Sequence, residues 1–267
     1  MENTTTNKRI VTAIGLFVFF TLVSLFLYYI ISPAPTCSDG KKNQAEKGID
    51  CGGTCAPCKD ATITQDIVIN EVALTLGGNN SYDVVAKITN PNNILGTGSF
   101  NYTFKLTDEA GSVIATREGN NFILPADSKY VAELGLQTDN NAVPANVELV
   151  IGSDVKWEQL NTVGKPQIGV YNKNFGQILT SVGSQADGVI RNESGYDLNK
   201  ISIVVILRSE KGDIIGVNKT EKNAVRIKEE RDFRLTWPYQ LTAPVQNIEV
   251  DPQSNVFDPQ NFSFSVR

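Results

Sequence analysis

The run Phe100-Asn101-Tyr102-Thr103-Phe104-Lys105-Leu106-Thr107-Asp108-Glu109-Ala110-Gly111-Ser112-Val113-Ile114 decides the fold. Phe100, Tyr102, Phe104 and Leu106 alternate with Asn101, Thr103, Lys105 and Thr107. A period of two with polar partners is the mark of a half-buried strand. Asp108 to Gly111 is a turn signal, and Val113 to Ala115 opens a second strand. Working outward, Tyr82 to Ile88, Phe122 to Leu124, the set Tyr130, Ala132, Leu134 and Leu136, and the set Val147, Leu149 and Ile151 all read as strands. Gly77-Gly78-Asn79-Asn80 and Gly119-Asn120-Asn121 read as turns between them. Short strands at this spacing predict a β-sandwich.

The pattern then recurs. Val85 to Asn90 corresponds to Asp187 to Asn192, and Leu106 to Ile114 corresponds to Leu207 to Ile215. Tyr130 aligns with Phe233, and Asn146 to Leu149 with Asn247 to Val250. The offset stays between 101 and 103 residues, the size of one immunoglobulin-like domain. Ile201 to Leu207 is apolar almost throughout, which predicts a central strand buried on both faces. Phe233, Leu235 and Trp237 alternate in a later strand. A linker at 161–166 is expected between copies at 62–160 and 167–267.

Each copy has a strand that ends in an asparagine turn, Asn90-Pro91-Asn92 and Asn192-Glu193-Ser194. A long strand, an acidic–glycine hairpin and a strand entered through an aromatic follow. In this pattern each copy resembles the FxLYD domain of bacterial proteins and the related late-embryogenesis-abundant sandwich. The resemblance implies an immunoglobulin-like sandwich on exported or membrane-anchored proteins, and it brings no catalytic residues.

Upstream, Ile10 to Ile31 carries no charged side chain. As a helix it would be about 33 Å long, against a bilayer core of about 30 Å. Thr12, Thr21 and Ser24 can return their hydroxyls to the helix backbone, and Tyr28 and Tyr29 suit the headgroup layer. The stretch is longer than a signal-peptide core, no A-x-A site follows, and Ala34-Pro35-Thr36 is not a lipoprotein pattern. An uncleaved transmembrane helix at 10–31 is therefore expected, with the lipid bilayer as its partner. Lys8 and Arg9 keep the tail at 1–9 in the cytoplasm under the positive-inside rule, although Lys41, Lys42 and Lys47 lie on the other flank. The cysteines favour an extracytoplasmic body.

Cys37, Cys51, Cys55 and Cys58 are the only four cysteines, all within the segment 32–61. An even, clustered set suits disulfides in an oxidising compartment, and four cysteines allow three pairings. So short a segment, punctuated by glycine and proline, needs covalent staples. Cys55-Ala-Pro-Cys58 also has the spacing of a redox dithiol, but without a strand–helix context. Four thiolates would suit zinc. Asp39, Asn43, Glu46 and Asp50 offer oxygen ligands to calcium, though not at EF-hand spacing. The segment resembles a short module of exported bacterial proteins, Cys-x-Asp-Gly-x-x-Asn-x-x-Glu-x-Gly-x-Asp-Cys-Gly-Gly-x-Cys-x-x-Cys, matched from Cys37 to Cys58. That resemblance implies a spacer between an anchor and a larger body.

The chain of 267 residues has 24 Lys and Arg against 29 Asp and Glu, a net charge of −5. Without Lys8, Arg9 and Glu2 the body is more acidic still. An acidic body without basic clusters excludes nucleic acid as a partner. There is no histidine, which excludes Ser–His and Cys–His catalysis and removes the commonest metal ligand. No cofactor is expected.

Asn79, Asn101, Asn192, Asn218 and Asn261 open N-x-Ser/Thr triplets, near the number that chance gives. Glu229 to Asp232 reads as a solvated hairpin tip, and Glu109 and Glu210 occupy equivalent hairpin turns. Trp157 and Trp237 suit a core better than a binding face.

The expected architecture is all-β: two tandem immunoglobulin-like β-sandwiches after one N-terminal transmembrane helix and a short disulfide-rich segment. The expected function is a non-enzymatic, single-pass membrane protein that binds or scaffolds an envelope protein or glycan through loops and edge strands. The alternatives are an envelope thiol-redox factor using Cys55 and Cys58, and a structural subunit of a larger envelope complex.

Overall fold

The computed structural model describes residue 14 and residues 16–24, 37, 42, 46, 51–55, 64–178 and 182–264. The chain divides into two compact units, Met1–Thr62 and Ile63–Arg267.

In the first unit, Ile14 and residues 16–24 are helical. Thr21 donates its hydroxyl to the carbonyls of Phe17 at 2.6 Å and Val18 at 3.0 Å. The helix thereby absorbs the polar atom internally, as the sequence requires of an apolar run. No helix among the described residues is long and apolar enough to cross a membrane. The tail at 1–9, the ends of the 10–31 run, and Tyr28 and Tyr29 lie outside the described residues. Cys37 and Cys55 form a disulfide across 18 residues. Gly52 and Gly53 both have positive φ, and Cys55 N donates to Gly52 O at 3.1 Å. That turn needs two residues without a Cβ.

The second unit is an all-β sandwich structure. Its strands are β1 (Val68–Gly78), β2 (Ser81–Thr89), β3 (Leu95–Thr107), β4 (Val113–Ile123), β5 (Ser128–Leu136), β6 (Asn146–Ile151) and β7 (Glu158–Gln159). They are followed by β8 (Ile168–Gln177), β9 (Ser184–Asn192), β10 (Asp197–Arg208), β11 (Ile214–Val225), β12 (Glu230–Trp237), β13 (Asn247–Gln253) and β14 (Phe262–Ser263). Four antiparallel sheets result among the described residues. Sheet β1-β2-β5 faces β4-β3-β6, and β12-β9-β8 faces β11-β10-β13. Short β7 adds to β3 as β14 adds to β10. The second seven strands thus reproduce the topology of the first seven.

The asparagine landmarks show why the repeat looks as it does. Asn90 Nδ2 donates to Leu95 O at 2.6 Å and Leu124 O at 2.9 Å, and its Oδ1 accepts from Asn92 N at 2.9 Å. Asn192 does the same, with Tyr196 O at 2.9 Å, Val225 O at 3.0 Å and Ser194 N at 3.0 Å. Each buried amide satisfies three backbone groups where the chain leaves one sheet for the other. The hairpins that follow also match. Gly111 N donates to Asp108 O and Gly212 N to Ser209 O, both at 3.0 Å with positive φ at the glycine. Glu109 and Glu210 sit exposed in these turns.

Three apolar cores separate the four sheets. One lies within each facing pair. Val84, Ala86, Ile88, Phe104 and Leu106 fill the first, and Ile201, Ile203, Val205, Leu207, Phe233 and Trp237 fill the second. Trp237 is 1% exposed and donates Nε1 to Val217 O. Trp157 packs on the first core. The third core joins the pairs: Val85, Tyr130 and Ala132 meet Val204, Ile206, Ile214 and Val217. This is why Ile201 to Leu207 is apolar on both faces. Odd positions enter one core and Val204 and Ile206 enter another. Each buried Val or Ile contributes about 1.5–3 kcal/mol.

Four readings of the sequence are corrected. Gly119-Asn120-Asn121 is not a turn but lies inside β4. A Cβ at Gly119 would collide with the Tyr102 ring, so this glycine allows a close approach. Tyr130 and Phe233 are not equivalent. Ala86 pairs with Val131 and Gly188 with Phe233, so Val131 is the counterpart of Phe233. A shift of one residue reverses the face, and Tyr130 belongs to the third core. Likewise Tyr130, Ala132, Leu134 and Leu136 do not share one face. Positive φ at Gly135 accompanies a register shift opposite Tyr82 to Val84, which returns Leu136 to the first core. Finally, only part of Glu229 to Asp232 is hairpin tip, because β12 begins at Glu230. Glu229 accepts from Arg226 N at 2.7 Å and pairs with Arg231.

Candidate functional site

Where the two sheet pairs meet, the third core does not fill the whole junction. A polar cleft of about 520 Å³ opens beside it. Strands β3, β4 and β5 supply one wall, with Tyr102, Asn121 and Glu133. Strands β10, β11 and β13 supply the other, with Lys200, Thr220 and Gln253. The size is within the range of small-ligand sites.

Behind this wall lies a wholly buried lysine. Lys129 is 1% exposed, and its Nζ donates to Asn121 Oδ1 and to Phe122 O, both at 2.8 Å. It also sits 3.4 Å from the centroid of the Phe122 ring. No carboxylate pairs with it among the described residues. Burial pushes its pKa down to about 7, against the opposing pull of Asp251 and Asp127. Burial raises Asp251, although Tyr130 N–H and Lys129 oppose it. Asp251 accepts from Tyr130 N at 2.7 Å and from Gln253 Nε2. This bond ties β13 to β5 across the junction.

Beyond the cleft an ion cluster clamps the same junction. Arg208 forks onto Glu71 at 2.9 and 2.7 Å, pairs with Glu249 and donates to Tyr130 Oη at 2.9 Å. Its guanidinium is the main cause of a lowered pKa at Glu71. Burial pushes Glu249 up, but the Tyr130 and Arg208 bonds outweigh it and leave it lowered. Burial, followed by the Glu249 contact, pushes Tyr130 up to about 12.

The charged side chains of the cleft are already matched. Lys200 pairs with Glu221 at 2.8 Å and Lys219 with Glu133 at 3.3 Å. Tyr102 Oη donates to Glu133 at 2.6 Å, and Asp258 accepts from Gln260 N at 2.9 Å. The open groups are neutral.

The cysteine segment is a separate matter. Cys55 is bridged to Cys37, not to Cys58, so Cys55 and Cys58 do not form one dithiol couple. Cys51 is also disulfide-bonded, and Cys58 lies outside the described residues. Asp39, Asn43 and Asp50 lie outside them as well. Glu46 is buried, with Oε1 3.1 Å from Cys55 Sγ. That sulfur is bridged and has no proton to give. Cys37, Glu46 and Cys55 lie close enough to share a metal, but the bridge leaves neither sulfur as a thiolate. Of the sequons, Asn79 is exposed at the β1–β2 turn, whereas Asn192 is wholly buried and inaccessible in the folded chain.

The lining of the cleft comes mainly from six strands of both repeats, so no local pattern marks it; its one trace in the sequence is the polar stretch Gly119-Asn120-Asn121 inside β4.

No family model and no curated protein matches this chain. Among solved structures, it is similar to the crystal structure of calcium binding domain CBD12 of CALX1.1. The identity is 13% over 68% of this chain and 80% of that chain, with a TM-score of 0.19. A likeness at that level carries no weight for function.

Proposed function

We propose that this chain is a non-enzymatic, membrane-tethered extracytoplasmic protein that binds or scaffolds a partner in the cell envelope. Its body consists of two tandem immunoglobulin-like domains of the FxLYD or late-embryogenesis-abundant type. The 10–31 run is the anchor, and the stapled segment is a spacer. The Cys37–Cys55 disulfide supports an oxidising location. The observation that carries the binding reading is the polar cleft at the junction of the two sheet pairs. Its walls are held by an apolar core and an ion cluster, so they are set before any ligand arrives. The redox alternative has less support, because Cys55 is engaged with Cys37.

Protease shaving of intact cells, combined with crosslinking of the full chain and identification of attached molecules, tests the reading. The expected result is a shaved body, a protected N-terminus and reproducible capture of one partner. Recovery of the whole chain from the soluble cell interior with free thiols would overturn it. A shaved body that captures nothing at high coverage would reduce the role to a spacer.

A further inference from the structure

We infer that the cleft between the two sheet pairs is a binding site for an uncharged saccharide, with Asn121 as its oriented hydrogen-bond donor. This deepens the binding role proposed above and rests on it.

Lys129 anchors the site from behind. A lysine wholly buried without a carboxylate partner is costly, and here its amine holds one side chain in place. Asn121 Oδ1 accepts from Lys129 Nζ at 2.8 Å and from Phe122 N at 2.9 Å. A backbone N–H can only donate, so the Phe122 bond alone gives the amide one permitted orientation, with the Lys129 amine on the same oxygen. Asn121 lines the cleft, and Nδ2 is the atom left to serve it. On the opposite wall Gln253 is fixed in the reverse sense. Its Nε2 donates to Tyr130 O at 3.1 Å and to Asp251, which leaves Oε1 as an acceptor. Asn120 Nδ2 donates to Ser99 Oγ at 2.8 Å and Asn101 Oδ1 at 3.1 Å, so Asn120 likewise presents an acceptor. Thr220 adds a hydroxyl that can act either way.

A fixed neutral donor beside neutral acceptors matches hydroxyl groups, each of which gives one hydrogen bond and accepts others. The charges decide between neutral and ionic ligands. Every charged side chain of the lining is already paired or accepts a backbone N–H. A carboxylate or phosphate would have to displace a partner and would gain no free cation. The second repeat has no such donor. The positions equivalent to Asn121 and Lys129 hold Lys222 and Arg231, so the site belongs to the junction and not to the domain type.

The test uses the full chain in a detergent without sugar headgroups. It is titrated by calorimetry with a neutral glucose oligomer, a neutral mannose oligomer and a uronic-acid oligomer of equal length. At least one neutral oligomer is expected to bind and the uronic-acid oligomer to bind more weakly. Asn121→Asp keeps the shape, gives Lys129 a carboxylate and deletes the donor, so it should weaken neutral binding about tenfold without lowering thermal stability. Thr220→Val is a second, surface-accessible variant and should weaken it severalfold. Absence of neutral binding up to about 10 mM, tighter binding of the uronic acid, or unchanged affinity in both variants would overturn the inference. Partner capture in intact cells needs no added saccharide. If capture persists while saccharide binding fails, only the cleft assignment falls.

Discussion

At the scale of single residues, the asparagines and one lysine say most about how this body is held. Asn90 and Asn192 stand out in the sequence only as repeat landmarks. Their work is to satisfy backbone groups at the corner where each strand changes sheet. Replacing either by alanine strands two buried carbonyls and one N–H. Asn192→Ala should therefore cost about 2–4 kcal/mol in denaturant unfolding, and Asn90→Ala about as much. A loss below about 0.5 kcal/mol would show that water replaces the amide. Lys129 makes a prediction of opposite character. Its pKa falls from 10.5 to about 7 on folding. Between those values the unfolded chain holds the proton and the folded chain does not, so stability rises with pH across the window and the penalty is complete below it. Measured against Lys129→Met, the wild type should gain stability from pH 7 to pH 10, by up to about 1.4 kcal/mol per pH unit. A constant difference would mean that the buried amine keeps its proton. Neither effect is legible in the sequence, where no local pattern marks Lys129 as buried. Only its contacts with Asn121 and Phe122 reveal it.

At the scale of elements, the strands were legible wherever one face is polar. In β3 and β12 the alternation gives the buried set directly: Phe100, Tyr102, Phe104 and Leu106, then Phe233, Leu235 and Trp237. It also worked for β10, whose nearly unbroken apolar run, interrupted only by Ser202, predicted burial on both sides. It misled in β5, where both faces are covered and Gly135 shifts the register. A strand with two buried faces has no polar phase from which to fix its orientation. The third core that covers β5 and β10 is apolar, so it supplies most of the attraction between the sheet pairs, whereas exposed ion pairs are worth about 0–1 kcal/mol. The Arg208 cluster is only partly exposed, and it chiefly fixes the register of β10 and β13 against β1 and β5. Arg208→Met should lower stability by about 1–3 kcal/mol, since it leaves Glu71 and Glu249 facing each other. Adding Glu71→Gln should restore part of that loss. A double-mutant cycle reads the coupling, and additivity within about 0.3 kcal/mol would show that the cluster does not act as a unit.

At the scale of the molecule, covalent and non-covalent stabilisation are segregated along the chain. All four cysteines precede residue 63, and the β unit from Ile63 to Arg267 has none. Reductant should therefore leave the unfolding midpoint of the β unit unchanged in the full chain, while every cysteine becomes open to alkylation. Without reductant no cysteine should take label, as intact mass will show. A midpoint that falls on reduction would mean that the stapled segment supports the sheets. The sequence by itself determined the all-β class, the repeat near 102 residues, the corner asparagines, the hairpin turns and the placement of the cysteines. These are local or periodic features, and each is written in neighbouring residues. Tertiary structure alone decided that Cys55 joins Cys37, that Val85 and Tyr130 meet Val204 and Ile206, and that Lys129 lies buried behind a polar cleft. Those contacts join residues far apart in the chain, where strand period records that a side chain is buried but not which surface buries it.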